Sequence, residues 1–187
     1  TNPSKNNYLN IDEGLQQKLY EVTKEALIKS GSCCGAVVAV DPKNGQILAL
    51  ISFPSFDPNV FTGNRDDNVI ADIFTRADSP VLNSVIGGTY PPGSTFKIVT
   101  SFAALESHKI TPQTVFIDNG IINLGQFSFS NWYFTQYGKT EGAVDLAKAL
   151  KRSNDTYYYQ VGQIVGEKIL GDWARKFNLG KILGIDL

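Results

Sequence analysis

The chain has 187 residues, of which 42% are hydrophobic and 19% charged, and its formal net charge is -1. That length carries one medium domain with a real core, and the composition is that of an ordinary globular protein. A near-neutral charge with no basic cluster argues against a nucleic-acid partner, and no run of about 18 apolar residues is present to span a membrane.

The chain starts at Thr1, carries no recognisable signal peptide and contains no methionine. It therefore reads as a piece of a longer or processed protein, with any targeting signal elsewhere. Thr1 to Asn10 is polar and is expected to be a loose lead-in. Asp12 is a fair N-cap for a helix whose apolar residues, Leu15, Leu19, Val22, Ala26 and Leu27, recur at helical spacing, and Gly31 can end it. The two cysteines, Cys33 and Cys34, are adjacent. Neighbouring cysteines rarely bond each other, so they are expected to pack as small buried hydrophobes.

Residues 35–41 read as a buried strand, 42–45 as a turn carrying the Asn-Gly signal, and 46–53 as the returning strand. The near-continuous apolar content predicts a hairpin covered on both faces, and a lone hairpin is marginal in water, so further strands are expected beside it. From Pro54 to Gly93 the chain is mixed: a turn at 56–59, a solvated polar run at 64–68, and a short helix over 68–78. An irregular connector this long in a compact domain usually covers or carries a site.

Pro91-Pro92-Gly93 cannot be helical, because proline fixes φ and bars its predecessor from the helical region. An apolar-periodic run follows at once, with Phe96, Val99, Ala103 and Leu105, which predicts a helix from Ser94 to about Ser107. Ser94 and Lys97 are three residues apart in its first turn and share a face. A serine oxygen attacks carbonyls poorly without a base, and a neutral lysine amine can be that base; desolvation and the positive end of a helix favour the neutral form. A Ser-x-x-Lys match alone is weak, since chance supplies about one in a chain of this length.

Residues 114–130 are strand-like, with Asp118-Asn119-Gly120 as a hairpin turn. Phe127, Phe129, Trp132, Tyr133, Phe134 and Tyr137 are expected to form a satellite core. Lys139-Thr140-Glu141-Gly142 is expected to be solvated loop. A short helix is predicted over 142–152 with Ala143, Leu146, Ala147 and Leu150 on its apolar side, then a helix to about Gly166 and one more over 170–177. Ser153-Asn154-Asp155 joins two of these helices. There a hydroxyl can relay a proton between Lys97 and a leaving amine, and Asp155 can hold the lysine or grip a substrate amide; Ser, Asn and Asp are equally good helix caps. Asn154-Asp155-Thr156 also has the form of a glycosylation sequon, discounted because nothing else suggests a eukaryotic secreted protein. His108 is the sole histidine. A histidine-rich metal centre is thus excluded, and a Ser-His-Asp triad would have to use this one residue, at a helix end. The order of elements is an α+β pattern.

Taken together, Gly88-Thr89-Tyr90-Pro91-Pro92-Gly93, Ser94-x-x-Lys97 and Ser153-x-Asp155-Thr156-Tyr157 resemble the transpeptidase domain of class B penicillin-binding proteins. The segments 35–41, 45–50 and 54–59 are similar to that family as well, in the same order. Asp155, followed by Thr-Tyr-Tyr-Tyr-Gln, is similar to the elongation type, penicillin-binding protein 2. The resemblance implies an α+β fold of the penicillin-binding protein and serine β-lactamase kind, an antiparallel sheet with a helical subdomain, incomplete here. It implies that Ser94 attacks the D-Ala-D-Ala carbonyl of a peptidoglycan stem peptide with Lys97 as base. Ser153 would pass the proton to the leaving D-alanine, and Asp155 would orient Lys97 and substrate. An amine of a second stem peptide would resolve the acyl-enzyme, and β-lactams would acylate Ser94 as mimics. The Ser94 N–H would give half of an oxyanion hole.

The family's third motif, Lys-Thr/Ser-Gly, does not occur before Leu187, so residues 1–187 are expected to be the N-terminal portion of the domain and inactive or weakly stable alone. No cofactor or metal is implied. The expected partners are the stem peptide, β-lactams, a membrane glycosyltransferase and the rest of the domain, on the extracytoplasmic face of a bacterial membrane, anchored by a preceding segment. Two other functions fit Ser-x-x-Lys: a serine β-lactamase or β-lactam sensor, although no convincing deacylating glutamate is found, and a non-catalytic binding domain of the same fold.

Overall fold

The computed structural model describes residues 8–62, 66–182 and 184–185. Part of the polar run, residues 64 and 65, and most of the lead-in, residues 1–7, lie outside them. The chain forms two compact units, Thr1–Tyr90 and Pro91–Leu187, with the proline pair at their junction. Helices and short antiparallel strand pairs make up both, as the α+β reading expects.

In the first unit, α1 (Glu13–Ser30) starts where Asp12 accepts the Leu15 N–H and stops where Gly31 turns left-handed, φ 68°. It leads into the hairpin β1 (Gly35–Val40) and β2 (Ile47–Phe53). A turn forms over 42–45 as expected, but as part of a longer loop than a two-residue Asn-Gly turn: the Gly45 N–H donates to the Asp41 carbonyl at 2.8 Å, and Gly45 takes φ 78°. Gln16 of α1 donates to the Leu50 carbonyl at 2.9 Å and accepts its N–H at 2.8 Å, so a side chain satisfies an edge residue of β2. Ala49, Ile51 and Phe53 of β2 are buried, as is Ile73 further along the chain. The expectation that both faces are covered fails for β1. Its burial alternates, and Val38 and Val40 remain about half exposed. Cys33 and Cys34 also depart from expectation: both are exposed, and they are joined in a disulfide. In the mixed stretch 54–93 the described residues form α2 (Asp67–Thr75), where a short helix over 68–78 is expected, and a further helix, α3 (Ser84–Gly87); side-chain caps from Asp66 and Asn83 start them.

The second unit is built on α4 (Phe96–Glu106). Next come β3 (Phe116–Asp118), β4 (Ile121–Leu124) and β5 (Phe127–Ser130), then α5 (Trp132–Tyr137) and β6 (Gly142–Val144). Three helices close it: α6 (Leu146–Arg152), α7 (Asp155–Val165) and α8 (Glu167–Lys176). Its core gathers Ala103 and Ala104 of α4, Val144, Leu146 and Ala149, and Tyr157, Val161 and Val165 of α7.

Asp118-Asn119-Gly120 is not a hairpin turn. β3 pairs with β6, and β4 pairs with β5 through a two-residue turn at Gly125-Gln126, with Gly125 at φ 61°. Residues 142–144 are strand, and α6 begins only after Asp145, whose carboxylate accepts the Lys148 N–H at 2.8 Å. The buried side of α6 is Leu146 and Ala149, while Leu150 is exposed. The aromatic group is not a satellite core, because Phe127, Phe129 and Tyr137 are exposed. Glu141 is no solvated loop residue either: its carboxylate pairs with Arg152 at 2.7 Å and is largely covered.

Gly120 marks a close approach. Its φ is 86°, and a Cβ there would run into the Phe134 ring of α5. Gly120→Ala is expected to destabilise this unit by about 1–3 kcal/mol through overpacking and the left-handed backbone. A urea unfolding midpoint unchanged from wild type would contradict that packing argument.

Candidate active site

Ser94 sits, exposed, in the 3-10 turn Gly93–Thr95 that runs directly into α4. Lys97 is one turn further along, largely covered, with a side-chain exposure of 13%. Its ammonium has three protons and three acceptors. It donates to the Ser153 carbonyl at 2.7 Å, to Ser153 Oγ at 3.0 Å and to Asp155 Oδ1 at 2.6 Å. Ser153 Oγ in turn donates to Ser94 Oγ at 2.8 Å. All four residues singled out from the sequence therefore meet in one place. The connection differs from the spacing argument in one respect: Lys97 reaches Ser94 through Ser153, not by a hydrogen bond of its own among the described residues.

The position of Ser153 follows from its backbone. It caps α6 in the left-handed conformation, φ 51° and ψ 40°. A residue with a Cβ adopts that conformation rarely, and such outliers persist where the surroundings over-determine them. Asn154, entirely buried, then caps α7 by accepting the Tyr157 N–H at 2.8 Å. A buried asparagine side chain cannot be a glycosylation site, so the sequon is structural. Asp155 commits both oxygens: Oδ1 to Lys97, and Oδ2 to the Trp132 N–H at 3.0 Å. That geometry favours its holding the lysine over its gripping a substrate.

Behind the amine lies the Tyr158 ring, 5.6 Å from Lys97 Nζ, with the phenol and Ser101 Oγ 2.7 Å apart. Burial pushes the Tyr158 hydroxyl up, against the hydrogen bond it shares with Ser101, so it stays neutral at pH 7. Next to it Tyr157 is pushed up to about 12, by burial first and then by Tyr158 and Asp145. Trp132 flanks the site from α5; its Nε1 donates to the Arg152 carbonyl at 2.8 Å, and the Arg152 guanidinium lies 5.5 Å over its ring. Sequence reasoning placed Trp132 with the aromatics and did not connect it to Asp155, a contact 23 residues away in the chain.

The residue missed altogether is Asp118, which is only 2% exposed. Its carboxylate accepts five hydrogen bonds: Gly120 N and Thr156 Oγ1, both at 2.8 Å, Asn131 Nδ2 and Glu141 N at 2.9 Å, and Asn154 Nδ2 at 3.0 Å. Burial works to raise its pKa, but the donors outweigh that and leave it below the ordinary value of 3.8. A group depressed in the folded state stabilises fully above its unfolded pKa and loses that contribution as the pH falls through the folded one. Asp118 should therefore add no slope to stability between pH 7 and 5, and a loss below about 3.8. Thermal melts of wild type and Asp118→Asn should show the acid-side fall steeper in wild type; parallel curves below that pH would contradict it.

His108 is exposed, and its side chain makes no hydrogen bond to Ser94 among the described residues, which leaves the triad reading without geometry. Among those residues no group of three His, Cys, Asp or Glu could hold a metal ion, and no helix is long and apolar enough to cross a membrane.

Residues 35–187 match the family described as penicillin binding protein transpeptidase domain. The chain is 34% identical over 182 residues to the peptidoglycan D,D-transpeptidase MrdA of Acinetobacter baumannii, covering 96% of this chain and 25% of that protein. It is similar to the penicillin G acyl-enzyme of penicillin-binding protein A from M. tuberculosis, with a TM-score of 0.81 and 32% identity, over 92% of this chain and 40% of that one. It is similar too to PBP2 in its complex with MreC from Helicobacter pylori, with a TM-score of 0.73 and 27% identity, over 86% and 29%. The chain thus spans about a quarter of the length of its curated MrdA relative.

Proposed function

The chain belongs to the penicillin-binding protein transpeptidase family, in its PBP2/MrdA type, and on that premise we propose that it carries the acylation half of a peptidoglycan D,D-transpeptidase. The observation that supports this most is the hydrogen-bonded line Lys97–Ser153–Ser94, with Asp155 fixing the lysine.

In the arrangement described, the line runs toward Ser94, whose Oγ is the terminal acceptor. With the amine neutral, it runs the other way: Ser94 gives its proton to Ser153, and Ser153 gives its own to Lys97. The freed Ser94 oxygen bonds to the penultimate D-alanine carbonyl carbon. The C–N bond then breaks, and the proton held by Lys97 returns through Ser153 to the leaving D-alanine. The Ser94 N–H, in the turn that leads into α4, is a donor for the developing oxyanion. A second stem-peptide amine attacks the ester and gives its proton to the same line; the bond between the acyl carbon and Ser94 Oγ breaks, the proton returns to Ser94, and the cross-link forms. A β-lactam enters the first half of this path and stays on Ser94. The complete protein would act in cell wall elongation at the extracytoplasmic face of a bacterial membrane, anchored by a preceding segment. It would work with a membrane glycosyltransferase, a reading supported by a similar chain in a peptidoglycan synthase complex, and the relative's complex with MreC supports a further protein partner.

Fluorescent penicillin tests this in the complete protein. One covalent label per chain is expected, absent in Ser94→Ala and lasting for hours. Turnover within seconds would move the assignment to a β-lactamase, and labelling that survives Ser94→Ala would remove Ser94 from the mechanism.

A further inference from the structure

Five donors converge on Asp118 from separate stretches of chain: its own turn at Gly120, the start of α5 at Asn131, the start of β6 at Glu141, and the α6–α7 junction at Asn154 and Thr156. None of the five belongs to a cation, and Asp118 is in no ion pair among the described residues. A buried charge of this kind is costly unless every lone pair is used. A carboxylate is the one side chain that offers two acceptor oxygens and no donor; an amide in its place would point its own N–H at another N–H.

The residues that bond to Asp118 also hold the reactive groups. Asn154 and Thr156, both tied to it, flank Asp155 on either side. Asn131, tied to it as well, accepts the Asp155 N–H at 3.1 Å and precedes Trp132, whose N–H holds the Asp155 carboxylate. Asn154 directly follows Ser153, so the left-handed Ser153 cannot shift without moving a side chain bonded to Asp118.

We propose that Asp118 is a positioning residue for acylation: its carboxylate sets the Ser153 hydroxyl and the Asp155 carboxylate relative to Lys97. The inference rests on the transpeptidase reading. Asp118 touches neither Ser94 nor Lys97 by a hydrogen bond, so its removal should slow the covalent step and leave reversible binding of a β-lactam nearly unchanged. The expected difference lies in the proton line, which is misaligned once Asp118 is replaced.

The test uses the complete protein and a fluorescent penicillin, with the first-order acylation rate and the Kd of the reversible complex resolved from time courses at several concentrations. Asp118→Asn is expected to lower the acylation rate by tenfold or more and to change Kd by less than about threefold. Thr156→Val, which removes one donor and no reactive group, should lower the rate by a few fold in the same pattern, and it decides the matter if Asp118→Asn does not fold. The exchange Asp118→Asn with Asn154→Asp reverses donor and acceptor on one bond and should recover part of the rate. An unchanged acylation rate, or a loss shared equally between rate and Kd in the folded variants, overturns the proposal. Wild-type protein that fails to label brings down the transpeptidase reading itself, whereas normal wild-type labelling with unaltered variants counts against Asp118 alone.

Discussion

Lys97→Met is expected to lower the acylation rate of Ser94 by about 10²–10⁴-fold, the range for losing a positioned acid–base group. Methionine has nearly the shape of the lysine stem, so the space beside Tyr158 stays filled and the effect isolates the amine. Two losses follow. Ser153 Oγ no longer has a group to hand its proton to, so only water is left to take the Ser94 proton as its oxygen attacks. Asp155 also loses its cation while keeping the Trp132 N–H. With Asp155 about a quarter exposed, that unpaired carboxylate should destabilise the protein by only about 1–2 kcal/mol, below the figure for a fully buried pair. The two consequences separate by measurement: the melting temperature falls slightly, and penicillin labelling nearly vanishes. Labelling within threefold of wild type would show that the base lies elsewhere. Lys97→Arg should not rescue, because a guanidinium stays protonated and cannot accept the serine proton.

The part of this site legible in the sequence is the part carried by short spacing. Ser94 and Lys97 lie one helical turn apart, and Pro91-Pro92-Gly93 announces where the helix begins, so their shared face follows from local geometry. The cap at Asp12, the stop at Gly31 and the turn over 42–45 are legible for the same reason. What could not be read is what depends on partners far along the chain. Asp118-Asn119-Gly120 has the local chemistry of a hairpin turn, and only the pairing of β3 with β6 shows that it is not one. Asp118 meets Asn131, Glu141, Asn154 and Thr156 at separations of 13 to 38 residues, and no periodicity encodes that. Gly142–Val144 follows the same rule, read as helix from its neighbours and held as strand by Phe116, Ile117 and Asp118. Composition misleads at the cysteine pair: small apolar residues entering a strand usually pack inside, but the chain between α1 and β1 runs at the surface.

Ser153 separates a relay from a cap, because substitutions there act on two properties independently. Ser153→Ala keeps the strained left-handed backbone and removes the hydroxyl; Ser153→Gly removes the hydroxyl and the strain together. A residue with a Cβ costs roughly 1 kcal/mol in that conformation relative to glycine. The glycine variant should therefore be more stable than the alanine variant by about that amount, with a midpoint raised by a few degrees. If Ser153 served only as a helix cap, Ser153→Gly would be as active as wild type or more so. The line Lys97–Ser153–Ser94 demands the opposite: both variants lose the only described hydrogen bond that joins the lysine's partner to the nucleophile. Both should therefore acylate about 10²–10³-fold more slowly, within the range for a lost acid–base step. The ratio of the two variants' rates should be near one although their stabilities differ. A wild-type rate in Ser153→Gly would mean that Lys97 takes the Ser94 proton directly, as the three-residue spacing alone suggests, and that the hydroxyl between them only fills space.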